Sequence, residues 1–125
     1  MDQELKQKIF TQIKYLMQPY ASKLEVRGQK ENQYHLYGTK EVQLAHKLEK
    51  GMYFTSVMIN KGFVGFYFFP IYTHPQEFQG LNEDLLKCLK GKSCFHIKKD
   101  DAALYESINE ALERGFTFYE GIAYL

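Results

Sequence analysis

The sequence has no tryptophan, only three prolines and two cysteines, and its 16 basic and 15 acidic residues leave a net charge of just +1. Each scarcity excludes something. Cys88 and Cys94 are too few for the disulfide framework of a small secreted domain. They stand six apart without a second pair, so they do not make a zinc motif either. The near-neutral balance gives no global field towards nucleic acid or an acidic membrane. No run approaches the ~20 apolar residues of a membrane helix. Met1 to Lys8 alternates in charge without the apolar core of a signal peptide, so the cytoplasm is the expected address. With 45% hydrophobic and 25% charged residues the chain is not disordered. It contains no repeat, low-complexity run or linker, and 125 residues suit one domain over residues 1–125.

What the chain does have is ten Tyr and ten Phe. Residues Gln3 to Met17 read as an amphipathic helix with Leu5, Ile9, Ile13 and Leu16 on its apolar stripe and Lys6, Lys8, Gln12 and Lys14 elsewhere. Pro19 ends it at Gln18. Leu24–Gly28 and Tyr34–Gly38 form a first strand pair around a polar turn, Thr39 to Ala45 adds an edge strand, and Lys47 to Gly51 is a charged turn. Tyr53–Ile59 and Phe63–Phe69 flank Asn60-Lys61-Gly62, the clearest hairpin in the sequence. Pro70 closes the second strand. Ile71 to Gly80 reads as an ordered loop. Asn82 caps a short helix to Leu89, which Gly91 ends, and Ser93–Ile97 is a strand with Phe95 and Ile97 on one face. Asp100 or Asp101 caps a last helix to about Arg114, with Leu104, Ile108, Ala111 and Leu112 inward and Gly115 as its stop. Phe116 to Leu125 is too apolar to float free. The order implies an α+β, two-layer α/β sandwich: an antiparallel sheet of five to six strands with the N-terminal and C-terminal helices on one face.

Val57-Met58-Ile59-Asn60-Lys61-Gly62-Phe63-Val64-Gly65-Phe66-Tyr67, followed by Pro70, resembles the central hairpin of the bacterial YdhG-like family, a domain family of unknown function. Lys90-Gly91-Lys92-Ser93-Cys94-Phe95-His96-Ile97 resembles that family's later strand. The matching order covers nearly the whole chain. Pro70 comes two residues later than in the family pattern, Thr39-Lys40 follows Tyr37-Gly38 where the family often has Gly-Met-Pro, and His96 and Lys98 replace Arg and Pro. Members are described as similar in fold to frataxin, and some as iron chaperones. The resemblance therefore implies a frataxin-like fold and weak iron binding.

Weak, exchangeable iron binding needs clustered exposed carboxylates. Glu106, Glu110 and Glu113 share a face of the last helix at spacings of four and three, and Asp100 and Asp101 stand at its start. Solvated charge and ordinary capping explain the same residues. No histidine pair has metal-ligand spacing. Cys94 and His96 share a strand face, and lysines at 87, 90, 92, 98 and 99 surround them, but no orienting acid or oxyanion arrangement completes a nucleophile. Catalysis is not expected. The same five lysines, with His96, could attract phosphate or nucleic acid, but the rest of the chain cancels their charge, and nucleic-acid binding is not expected. The Phe63–Phe69 strand is apolar on both faces. One face packs under the helices; the other is covered by the tail, by a second subunit in a homodimer, or by a ligand. Tyr53, Tyr67, Tyr72, His74 and His96 fall near the rim of that second face, which makes a partner- or small-ligand-binding module the alternative reading.

Overall fold

Asp2 opens the first helix, α1 (Gln3–Met17), by accepting the Glu4 amide at 2.9 Å in a computed structural model that describes residues 1–125. A 3-10 turn over Gln18–Ser22 follows, where Pro19 has no amide to offer the α-helical ladder. The buried stripe is Ile9, Phe10, Ile13 and Met17 together with Lys6, so it lies rotated from the Leu5–Leu16 line read in the sequence. Lys6 is only 8% exposed. Its ammonium donates to the carbonyls of Lys61 at 2.9 Å and Asn60 at 3.2 Å, pinning α1 to the central hairpin turn while its stem packs with the core.

Seven strands follow: β1 (Glu25–Lys30), β2 (Gln33–Tyr37), β3 (Glu41–Gln43), β4 (Leu48–Lys50), β5 (Tyr53–Ile59), β6 (Val64–Phe68) and, later, β7 (Cys94–Ile97). Five form one antiparallel sheet in the order β1-β2-β5-β6-β7, with the hairpin of β5 and β6 near its centre. The expected charged turn at Lys47 to Gly51 is instead β4, paired with β3 in a separate two-stranded ribbon. Three-residue strands with mostly exposed side chains carry too little apolar alternation to stand out from a turn.

The sequence after β6 does not loop. Phe69–Thr73 is a short helix, α2, and Pro75–Phe78 a 3-10 turn. Asn82 caps α3 (Glu83–Leu86) through the amides of Asp84 and Leu85. Asp101 caps α4 (Ala102–Gly121) by accepting the Ala103 amide at 3.0 Å. Helix α4 runs through Gly115 rather than stopping there. A Cβ on Gly115 would lie 2.4 Å from Phe68 Cζ and 3.2 Å from Pro70, so this glycine lets the helix touch the sheet instead of ending it. The segment expected as a tail is largely the last two turns of α4, with Phe116 and Tyr119 buried.

Helices α1 and α4 cover one face of the sheet, α1 against β5 and β6 and α4 through Gly115, Phe116 and Tyr119 against Phe68 and Phe54. The pairing Val57↔Phe66↔Phe95 places these residues on that face, together with Val64, Phe68 and Ile97. Leu36 pairs with Thr55 but Tyr37 with Tyr53, so Phe54 is an extra, bulged residue. The bulge turns Phe54 inward against Phe68, Phe116 and Tyr119, while its neighbour Tyr53 remains outward. The fold is the two-layer α/β sandwich that the element order implied.

Gly115→Ala sets two effects against each other. Helix propensity favours Ala by about 1 kcal/mol, whereas forcing a methyl into filled space costs about 1–3 kcal/mol. The methyl meets a fully buried ring, so urea unfolding should show net destabilisation. Gly121→Ala, in the last helical turn with open space around it, should instead stabilise by up to about 1 kcal/mol.

Candidate functional site

The second face of the sheet is covered by neither α1 nor α4, and the short α2 reaches only its Tyr53 end. Its side chains alternate with the core set: His35 and Tyr37 on β2, Tyr53, Ser56 and Met58 on β5, Gly65 and Tyr67 on β6, Cys94 and His96 on β7. The C-terminal residues do not lie over it. Leu125 packs against Gly38, and Tyr124 against Tyr119 and His74, at the end of the helical layer.

Two arrangements organise this outer face. The first is a row of aromatic rings, Tyr37–Tyr53–Phe69–Tyr72, with centroids 5.1, 5.4 and 5.4 Å apart. Arg27 lies over Tyr37 at one end and Lys92 over Tyr72 at the other. Tyr72 is 44% exposed, and the other three rings are half-buried. The second is a polar chain beneath the row. Tyr53 donates its hydroxyl to Ser56 Oγ at 2.6 Å, Ser56 meets His35 Nδ1 at 2.6 Å, and His35 Nε2 faces Gln33 Oε1 at 3.2 Å. One neutral tautomer satisfies every link, with Ser56 donating to Nδ1 and Nε2–H donating to Gln33. Burial of Tyr53 raises its phenol pKa strongly, and burial lowers that of His35. A serine beside a histidine invites a nucleophilic reading, but Ser56 is 1% exposed and admits no substrate. The chain supports Tyr53; it does not attack.

Towards β7 the face continues with Tyr67, whose hydroxyl accepts from Asn60 Nδ2 at 3.2 Å. Gly65 makes this posture possible, because a Cβ there would lie 2.6 Å from the Tyr67 ring. Phe63 stacks on His96 at 3.6 Å, nearly parallel. Burial raises the pKa of the Cys94 thiol, partly offset by the Tyr67 hydrogen bond, and also that of Cys88. Neither site generates a thiolate.

Of the five rim residues named from sequence, Tyr53, Tyr67 and His96 share this face, and Tyr72 joins it through Phe69. His74 does not. It packs edge-on to Phe118 and Tyr119 with its Nδ1 at 2.8 Å from Thr73 Oγ1, because α2 turns the chain towards the helical side. The motif residues Phe66, Pro70 and Phe95 are core, while Lys90 and Gly91 lie in the turn before β7.

The five carboxylates do not converge. Asp100 accepts from the Tyr105 hydroxyl and pairs with Lys8 at 3.0 Å, contacts that hold its carboxyl below the ordinary range. Asp101 is the α4 cap, Glu110 pairs with Arg114, and Glu106 and Glu113 point into solvent. No group of three or more His, Cys, Asp or Glu side chains is placed to hold a metal ion. No helix is long and apolar enough to cross a membrane. The His35–Ser56–Tyr53 chain has only one trace in the sequence, the two small polar residues Thr55 and Ser56 inside the apolar run Tyr53–Ile59. No protein-family profile, curated protein or solved structure matches the chain.

Ser56→Ala leaves the Tyr53 hydroxyl without its buried acceptor and should cost about 1–3 kcal/mol in urea unfolding. The lowered His35 pKa has its own consequence. Below the unfolded value of 6.5 the unfolded chain takes up a proton that the folded ring resists. The contribution is therefore complete above that value and declines as pH falls through it. Stability should drop between about pH 7 and pH 5, and His35→Gln should flatten that slope only in part, because His96 shifts in the same direction.

Proposed function

We propose that this chain is a non-catalytic binding domain that engages another protein through its outer sheet face, a second copy of itself being the simplest partner. The observation that carries the reading is the row Tyr37–Tyr53–Phe69–Tyr72, left uncovered by both helices and by the C-terminal residues. None of the four cavities is centred on this row, and a flat face rich in Tyr, Phe, Met and Arg suits a protein surface better than a small molecule. Buried support favours it too, since the Tyr53–Ser56–His35 chain fixes the central ring before any partner arrives. The antiparallel sheet and one-sided helices also agree with kinship to YdhG-like domains, which we keep as a proposal alongside.

Size sets the expected strength. Five strands about 4.8 Å apart and about 17 Å long make a face of roughly 400 Å² in projection. A tight complex buries about 800 Å² per partner. Association should therefore be weak and concentration-dependent. In sedimentation equilibrium the mean mass should climb from monomer towards dimer with concentration, and Tyr72→Glu should restore the monomer without altering the fold. A mass that stays monomeric up to millimolar protein contradicts self-association, and an unaffected Tyr72→Glu dimer places the interface elsewhere.

A further inference from the structure

The edge of the sheet at β7 carries a different kind of surface. Lys87 and Lys90 come from the segment after α3, and Lys98 and Lys99 from the connection between β7 and α4. In sequence they belong, with Lys92, to the lysine group around Cys94 and His96, which reads most simply as solvated charge. In the fold all four line one cleft of about 440 Å³, with His96 among them. The backbone fixes this convergence, since Lys90 N donates to Cys94 O at 2.8 Å and His96 N to Cys88 O at 2.9 Å. These bonds sew the first segment onto β7, so the two lysine pairs cannot drift apart.

None of the four ammonium groups belongs to an ion pair; the molecule's four pairs all lie elsewhere. The cleft holds two carboxylates, Asp84 and Asp101, and Asp101 is already committed to the α4 cap. Four positive groups against two negative ones leave a local excess in a chain whose total is only +1. Like charges gathered around a partly enclosed volume repel until an anion enters. Burial lowers the pKa of His96, and the nearby charges of Lys98 and Lys90 lower it further.

The chemistry of the donors narrows the ligand. Lysine ammoniums are point charges with rotatable donors and lack the fork by which arginine grips a planar carboxylate. Four of them suit a compact, multiply charged anion with many acceptor oxygens, which is what linked phosphates present. The volume falls within the range of small-molecule sites, and Leu104 and Cys88 add an apolar wall for a non-ionic portion. We propose that this cleft binds a soluble small molecule carrying at least two linked phosphates, with Lys87, Lys90, Lys98 and Lys99 meeting the charge and His96 supplying a hydrogen bond.

Isothermal titration calorimetry of the whole chain with inorganic pyrophosphate, ADP and orthophosphate at fixed ionic strength tests this. Pyrophosphate and ADP should bind at least about tenfold tighter than orthophosphate, and the double variant Lys90→Ala/Lys98→Ala should weaken them by about tenfold or more. Lys30→Ala/Lys40→Ala removes the same charge away from the cleft and should change binding by no more than about twofold. Amide spectra of both variants check that the fold is kept. Three outcomes would overturn the assignment: no binding at millimolar pyrophosphate, equal losses in the two double variants, or tighter binding of a single-stranded DNA oligonucleotide than of pyrophosphate.

Discussion

Helix α4 meets the sheet at Gly115, and the ring of Phe68 occupies the space that any side chain there would need. Much of the architecture depends on that contact. It brings the end of α4 close enough for Phe116 and Tyr119 to close over Phe54, and for the Tyr119 hydroxyl to reach Thr73 Oγ1 at 2.6 Å. Helix α1 lies against the same face and is held by Lys6 to the turn of the central hairpin. A strand with bulky groups on both sides can bury only one of them under such a layer. All the helical cover goes to Val64, Phe66 and Phe68. The outer side of the same hairpin is left to its own resources.

Those resources are local. Tyr53 lies under neither α1 nor α4, so it buries its body between Tyr37 and Phe69 of α2 and hands its hydroxyl to Ser56. Tyr67 folds back over Gly65 to Asn60, and Phe63 lies flat on His96. The face is thereby half-buried by its own side chains and ordered without a cover. Order without cover is the state in which a surface loses little entropy on meeting a partner. The lysine cleft follows a separate logic: it arises where a short helix and the strand β7 are sewn together by two backbone bonds.

Much of this was legible in the sequence because it is local. The Asn60-Lys61-Gly62 hairpin and the Asn82 and Asp101 caps depend on residues within a few positions of one another. What could not be read was decided across the chain. Gly115 carries the chemistry of a helix stop, and only Phe68, forty-seven residues earlier, shows that it marks a close crossing instead. Lys6 looks solvated until the hairpin turn arrives to take its ammonium. The Phe54 bulge breaks the alternation that any strand reading assumes. At the candidate face, Tyr67 and His96 lie where strand periodicity puts them, Tyr53 joins them only through the Phe54 bulge, and α2 carries His74 to the other side. Charge needed the fold as well: the carboxylates along and before α4 make no group that could hold a metal, whereas the lysines already grouped around Cys94 and His96 in the sequence prove to line one cleft.

The central claim is that the outer face, and no other surface, meets a partner. Hydroxyl-radical footprinting at low and high protein concentration tests it directly, with Tyr15 on α1, 70% exposed, as an internal reference. Oxidation of Tyr72, Phe69 and Met58 should fall as concentration rises while that of Tyr15 stays constant. Protection of Tyr15 with unchanged oxidation of Tyr72 would contradict the account.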